Sequence, residues 1–326
     1  MKIIVVGVGS MGWNHARVCS ELGHLVAVCD MDEESVKRVA NNFGVKGYTD
    51  LQSAIDELNP TAVIVSTPTS THVKVAKIAL ENNLHVLVEK PLAIDLESGQ
   101  SLIDLARSKN LKLCVGHIER HNPVISFARK NLEIGDWGQA ITISSRRVSN
   151  FPGRIRDVGV ILDLAIHDID NVIYLMNSKL TSVFSRAGSY NDIDHEDHAN
   201  IMLGFENGNS AMIEVNWITP MRVRTLSLTC EKSFVELDYM KQQVSVSNSR
   251  FTNPADPQMY PLKIEYDTKT ISLQKQEPLK MEIQDFVNCI ENDVEPLVNG
   301  EQGLISLKAT IAAVESWKLG EVINID

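Results

Sequence analysis

Through the first 120 residues, short unbroken apolar runs alternate with stretches whose apolar positions recur every three or four residues. Residues 2–6, 25–29, 62–66, 85–88 and 112–115 are short, rich in β-branched side chains and almost continuously apolar. That is the pattern of parallel strands covered on both faces. The intervening spacing predicts helices over 12–22, 33–43, 50–58, 71–82 and 95–109. Asp95 is placed to cap the last of these, Gly44 to stop the second and Pro60 to follow the third. Repeated β-α units predict a doubly wound parallel sheet.

The second half changes period. A helix is expected over 123–132 and a strand over 140–148. Residues 160–176 are apolar nearly all round and predict one long, largely buried helix. Strand patterns follow at 181–187, 199–205, 211–217, 225–230 and 234–238. In Ala211-Met212-Ile213-Glu214-Val215-Asn216-Trp217 the alternation is nearly strict, so one face is buried and the other partly polar. Strands in succession without crossover helices predict a mostly antiparallel sheet. Residues 248–278, with Pro254, Pro257, Pro261 and Pro278, read as loop with edge strands, and helices near 281–291 and 302–319 close the chain. The expected fold is α/β: a Rossmann domain over 1–121 and an α/β domain over 122–326, whose closing helices are available to pack back on the first.

The length, 326 residues, suits about two domains. A net charge of −11, from 42 acidic and 31 basic residues, argues against a nonspecific nucleic-acid binder, which carries a basic excess. No apolar run approaches the ~20 residues of a membrane span, and residues 3–6 are too short a run for a signal-peptide core. The five cysteines (Cys19, Cys29, Cys114, Cys230, Cys289) are scattered and form no C-x-x-C, which argues against zinc ribbons, redox pairs and a disulfide framework. A cytoplasmic protein without metal, membrane or nucleic-acid partner is expected.

Gly7-Val8-Gly9-Ser10-Met11-Gly12 follows a strand and opens a helix. Gly7 permits the tight turn, Gly9 lets backbone approach a pyrophosphate, and Gly12 lets helix and strand pack closely. Free amides at the helix start then face the anion. Asp30, 18 residues after Gly12, stands where a carboxylate accepts from the adenosine ribose hydroxyls, and no Arg is nearby to welcome a 2′-phosphate. This favours NAD over NADP. A tight glycine turn with an incidental aspartate has the same letters; the strand–turn–helix context is what favours the dinucleotide.

Polar residues at the carboxyl ends of later strands point into the same crevice. They are Thr67-Pro68-Thr69-Ser70-Thr71-His72, Glu89-Lys90-Pro91, and Gly116-His117-Ile118-Glu119-Arg120-His121-Asn122-Pro123. A solvated Glu89-Lys90 pair is the plainer alternative. On the apolar helix, Asp163, His167 and Asp170 at i, i+4 and i+7 share one face. A carboxylate orients an imidazole and stabilises its protonated form, which makes His167 a usable general base. A structural Asp–His pair on a solvent face is the alternative.

These pieces, in this order, resemble the glucose–fructose oxidoreductase/inositol dehydrogenase (Gfo/Idh/MocA) family along the whole chain. The resemblance implies a catalytic trio of Lys90, Asp163 and His167. It implies NAD held by Gly7, Gly9, Ser10, Met11, Gly12, Asp30, Thr67, Pro68, His72, Glu89 and Lys90. It also implies a large open sheet whose exposed face builds a homodimer or homotetramer. Two departures are visible: Asp157-Val158-Gly159-Val160 where the family often has several glycines, and Ala165 where it often has Gly. Residues 115–123, 146–159 and 214–217 are similar, more narrowly, to the UDP-N-acetylglucosamine 3-dehydrogenases of the family, with His121 where that group usually has Phe. That similarity implies a sugar-nucleotide substrate oxidised at C3, touched by Glu119, Arg120, Asn122, Arg154, Arg156 and His167, with a structural pair as the alternative for Glu119 and Arg120. The residues themselves add that 146–156 holds Arg146, Arg147, Arg154 and Arg156 with no acid, which suits a diphosphate or, alternatively, ordinary salt bridges. His195-Glu196-Asp197-His198 reads as a solvated loop. An inositol or free-sugar dehydrogenase, and an NAD-binding regulator without turnover, are the alternatives to the sugar-nucleotide reading.

Overall fold

The structure is a computed structural model, and it describes residues 1–151, 158–191, 195–252 and 263–325. The chain divides into two compact units, Met1–His121 with Glu277–Lys308, and Asn122–Gln276 with Ala309–Asp326.

The first unit alternates β1 (Ile3–Val6), α1 (Ser10–Glu21), β2 (Leu25–Cys29), α2 (Glu33–Phe43), β3 (Lys46–Tyr48), α3 (Leu51–Leu58), β4 (Ala62–Val65), α4 (Thr69–Glu81), β5 (His85–Glu89), α5 (Leu96–Ser108) and β6 (Leu113–Gly116). The sheet order is β3-β2-β1-β4-β5-β6, and every pairing is parallel. That is the doubly wound order, with its switch point between β1 and β4. The continuous apolar runs are explained by what covers them. Ile4, Val6, Val63, Val65, Val86 and Val88 face one core with α3, α4 and α5. Ile3, Val5, Ala62, Ile64 and Leu87 face another, built with α1 and with Leu279, Ile283 and Phe286 of the late helix. Alternate residues of each strand thus fill opposite layers.

Helix ends follow the sequence signals. Asp32, Asp50 and Asp95 cap α2, α3 and α5 through backbone amides, Asp95 accepting from Ser98 N at 2.8 Å. Gly44 ends α2 in the left-handed region. The edge strand β3 is an addition to the pattern read above. It is exposed, and its Gly47 lies where a Cβ would stand 2.4 Å from Val36 Cγ1, so packing against α2 rather than hydrophobicity defines it.

After a 3-10 turn (Ile118–His121), the second unit runs α6 (Pro123–Glu133), β7 (Ala140–Asn150), a π-turn (Ile161–Ala165), α7 (Ile166–Met176), β8 (Leu180–Gly188), β9 (His198–Phe205), β10 (Ser210–Asn216), β11 (Ile218–Cys230), β12 (Phe234–Asp238), β13 (Gln243–Thr252) and β14 (Lys263–Ser272). Then α8 (Pro278–Glu291) joins the first unit, α9 (Gly300–Leu319) is divided between the two at Lys308, and β15 (Ile323–Asn324) closes the second. The nine-stranded sheet has the order β14-β13-β12-β11-β7-β10-β9-β8-β15. It is antiparallel except for β7 beside β10. Its inner face buries Ile143, Ile201, Ile213, Val215 and Leu228 against α6 and α7. Its outer face leaves Met202 and Met212, cross-strand partners, exposed beside Arg146 and Glu214.

Two expectations are refined. The edge strands expected within 248–278 are present as β14, at the sheet edge, and the end of β13, whose alternation begins at Gln243 and buries Val244 and Val246. Residues 160–176 are helical throughout as expected, but the first turn is π, with Ile166 N donating to Ile161 O across five residues.

Candidate active site

The glycine turn sits between β1 and α1. Gly7 has φ +84°, and a Cβ there would stand 2.6 Å from the Ser66 carbonyl. A Cβ on Gly12 would stand 1.7 Å from Gly7 O. Both contacts are with backbone, so no side chain can move aside. At Gly9 the same construction meets nothing within 4 Å. Gly9 is also the N-cap of α1, which has no side-chain cap and no acid in its first turn. The first-turn amides of α1 thus lie next to clear space at Gly9, with the positive end of a helix behind them, which fits a pyrophosphate. Asp30 Oδ2 accepts from Val8 N at 2.7 Å and Oδ1 from Asp32 N at 3.0 Å, so the carboxylate that ends β2 is tied to the same turn.

At the next strand end, His72 is buried and bridges two segments. Its Nε2 faces Thr67 O at 2.9 Å and its Nδ1 faces Pro91 O at 2.8 Å. Burial pushes its ionisation below the ordinary imidazole range, against the pull of these carbonyls. Thr67 also accepts from the Thr71 hydroxyl at 2.8 Å, and Pro68 precedes α4. The Lys90–Pro91 peptide is cis.

Glu89 is buried rather than solvated. Its Oε1 lies 2.8 Å from His15 Nε2, and its Oε2 accepts from Lys90 N at 3.2 Å. Burial alone would raise its ionisation, but His15 and then Lys90 outweigh it and hold Glu89 below the ordinary carboxylate range. Among the described residues, one set of three metal-capable side chains comes together: His15, Glu89 and Glu282, all buried, with ligand atoms within 4.8 Å of one another.

Glu119 and Arg120 are buried in the 3-10 turn, where an Arg120 Nη1 donates to Leu297 O at 3.4 Å. In the second unit, Asn122 caps α6. Its Oδ1 accepts from Val124 N at 3.3 Å and its Nδ2 donates to Tyr239 O at 3.4 Å.

Asp163 lies in the π-turn and His167 in the first turn of α7; both are half-buried, whereas Asp170 is fully buried. The π-turn that carries Asp163 runs directly into the α-helical turn that carries His167. The start of this segment is fixed by Glu196, from the stretch expected to be a solvated loop. Glu196, buried, accepts from Ile161 N through Oε1 at 3.1 Å, and its backbone O accepts from Val160 N at 2.9 Å. Gly159 leaves room for it: a Cβ there would stand 2.1 Å from the Glu196 carboxyl.

The next residue, Asp197, is fully buried and accepts from Tyr190 N, Asn191 N, Asn191 Nδ2 and His198 Nδ1 at 2.8–3.0 Å. Within 195–198, Glu196 and Asp197 are thus a buried brace rather than solvated loop, while His195 and His198 are half-buried.

The arginine-rich stretch divides by strand alternation. Arg146 points outward to Glu214 at 3.0 Å. Arg147 points inward to Asp168, its Nε 2.5 Å from Oδ2, while Ser145 donates to Oδ1 at 2.6 Å. These two arginines have structural partners. Arg154 and Arg156 lie outside the described residues. No helix among the described residues is long and apolar enough to cross a membrane.

Comparison with known proteins places this geometry. Residues 1–117 match the model of an oxidoreductase family with an NAD-binding Rossmann fold, and residues 126–236 match the GFO/IDH/MocA C-terminal domain. The chain is 27% identical over 321 residues to UDP-N-acetylglucosamine 3-dehydrogenase from Acidithiobacillus ferrooxidans, covering 97% of this chain and 98% of that one. It is 25% identical to scyllo-inositol 2-dehydrogenase (NAD(+)) from Bacillus subtilis, covering 100% and 96%. The solved structure of the Acidithiobacillus enzyme superposes with a TM-score of 0.88 over 98% of each chain, at 26% identity.

Proposed function

The chain belongs to the Gfo/Idh/MocA family of NAD-binding oxidoreductases, and from that premise we propose that it oxidises a secondary hydroxyl of a sugar nucleotide, C3 of UDP-N-acetylglucosamine. The observation that carries the substrate class is the end-to-end similarity to an enzyme of that name, 98% of whose length is covered. The local similarity of residues 115–123 and 146–159 supports it.

NAD, when bound, accepts the hydride. The chain's own residues do the rest. The amides of residues 10–12 take the pyrophosphate, and Asp30 takes the ribose hydroxyls. Thr67, Pro68, His72 and Glu89 shape the remainder of the cofactor site. His167 removes the hydroxyl proton, and Asp163 stabilises the imidazolium that results. Lys90 donates to the same oxygen and favours the negative charge that develops there. Arg154 and Arg156 bind the diphosphate, and Glu119, Arg120 and Asn122 complete the substrate contacts. The exposed Met202–Met212 face of the large sheet is the proposed contact between copies of the chain.

A second reading, oxidation of an inositol ring, is favoured by the equally complete similarity to scyllo-inositol 2-dehydrogenase. The two are separated by following NADH absorbance with UDP-N-acetylglucosamine, UDP-glucose, N-acetylglucosamine, glucose and myo-inositol, each with a hydrazine trap for the ketone. Signal confined to the UDP sugars supports the sugar nucleotide. Signal with free polyols alone discards it and keeps the oxidoreductase.

A further inference from the structure

Glu282 is a carboxylic residue with no evident reason to be where it is. It projects from α8 among Leu279, Ile283 and Phe286, which pack into one face of the parallel sheet. It is 2% exposed, and among the described residues neither carboxyl oxygen has a hydrogen-bond partner. Leaving such a group buried costs free energy unless something answers it. What it faces is the Glu89 carboxylate and the His15 imidazole, within 4.8 Å. Three segments far apart in sequence, α1, β5 and α8, thus deliver an imidazole and two carboxyl groups to one buried spot. His121 of the 3-10 turn, Cys114 of β6 and Asp285 of α8 also face Glu282, around a cavity of about 10 Å³, at the lower limit for a single water.

Two carboxylates this close in a buried space do not both ionise. One negative charge must be cancelled, by a proton or by a cation. Glu89 is the one held charged, by His15 and Lys90. Glu282 lacks such donors; burial, then the charges of Glu89 and Asp285, push it well above the ordinary carboxylate range. Paired carboxyl groups driven apart in this way take different protonation states in the same enzyme.

We infer that Glu282 is a neutral carboxylic acid in the working enzyme and a positioning residue that, through Glu89, holds the Glu89–Lys90 turn. This rests on the reading of Lys90 as the donor to the substrate oxygen. While Glu282 keeps its proton, Glu89 stays between His15 Nε2 and the Lys90 amide. Once Glu282 ionises, its repulsion falls on Glu89, and Lys90 moves with the backbone that Glu89 holds. Stability should follow the same proton. A carboxyl whose native value is raised contributes stability that is complete below its unfolded value, ~4.3. That contribution is lost as pH rises towards the native value.

The test is difference infrared spectroscopy of the wild-type protein and Glu282→Gln at neutral pH, in H2O and D2O, beside pH profiles of kcat and of thermal stability. The wild type should show a deuterium-sensitive carbonyl band of a protonated acid that the variant lacks. The variant should carry its alkaline fall in kcat ~1 pH unit or more higher, with KM for NAD within about twofold. It should also escape the loss of stability that the wild type suffers as pH rises above ~4.3. If the variant does not fold, the wild-type band alone decides, by fading over the pH range where kcat falls. Absence of the band from the wild type, its survival in Glu282→Gln, or one equivalent of chelator-removable divalent metal in the purified protein overturns the inference. Full activity of His167→Ala would instead sink the functional reading and leave the infrared result standing.

Discussion

Asp30 sets a quantitative expectation for the cofactor. A carboxylate offers about four lone-pair positions. Two are occupied by Val8 N at 2.7 Å and Asp32 N at 3.0 Å. The remaining two match the two hydroxyls of an adenosine ribose. Hydrogen bonds to a charged group are worth ~1.5–3 kcal/mol each. Taking the lower value, because the ribose hydroxyls regain water when the partner is lost, Asp30→Ala should cost ~3 kcal/mol of NAD binding. That is about a hundredfold in Kd. At the same lower value the lost Val8 and Asp32 bonds should lower fold stability by ~3 kcal/mol, less than the ~5–15 kcal/mol that holds a domain folded, so the variant should remain folded. Discrimination against NADP should shrink as well, because a 2′-phosphate carries about −1.5 to −2 charges and would no longer meet an anion. The assay is titration of protein fluorescence with NAD and NADP, with a melting curve as control. Binding of NAD by Asp30→Ala within about threefold of wild type, or equal wild-type use of NADP, would refute the reasoning.

Three further outcomes are expected. Lys90→Ala and His167→Ala should each lower kcat by ~10²–10⁴-fold with NAD affinity retained in the same titration; wild-type turnover in both removes the catalytic assignment. Glu196→Ala frees the start of the π-turn and should lower kcat by about a hundredfold, whereas Glu196→Gln, which still offers an acceptor to Ile161 N, should restore most of it; equal losses in the two would mean that charge rather than placement matters. Asp197 is held below the ordinary carboxylate range, because His198, Tyr190 and Asn191 together outweigh the upward push of burial. Its contribution to stability is therefore present above the unfolded value and is lost as pH falls below ~4. Urea melts at pH 3 to 7 should show a steeper acid loss in wild type than in Asp197→Asn, and parallel curves would contradict it.

How far the sequence reveals this molecule depends on whether a feature is local. The parallel strands were legible because coverage on both faces leaves a continuous apolar run. Asp95 and Gly44 were legible because a cap acts on amides three or four residues away. The π-turn was not, since a segment apolar on every side carries no phase for a bulge to disturb. Strands 243–252 and 263–272 were obscured by the prolines between them, although the alternation of Val244 and Val246 was there to read. Gly7, Gly12 and Asp30 stand together as expected, because one β-α-β unit carries them. The arginine stretch was legible only as a choice between a diphosphate site and salt bridges. Alternation on β7 puts Ser145 and Arg147 inside, but only the arrival of Asp168 on α7 shows what makes a buried guanidinium tolerable. Glu196 showed only as part of a polar cluster read as a solvated loop, and Glu282 had no signal at all. Each is a charged letter in an ordinary pattern until a distant segment folds against it.

The central claim is that hydride leaves C3 of a sugar nucleotide for the nicotinamide, and isotope transfer tests it most directly. UDP-N-acetylglucosamine deuterated at C3 is incubated with enzyme and NAD, and the reduced cofactor and the trapped sugar are weighed by mass spectrometry. The account predicts reduced cofactor carrying one deuterium and a ketone that has lost it. Unlabelled reduced cofactor would place oxidation at another carbon, and no reduced cofactor, with NAD bound, would deny the sugar nucleotide as substrate.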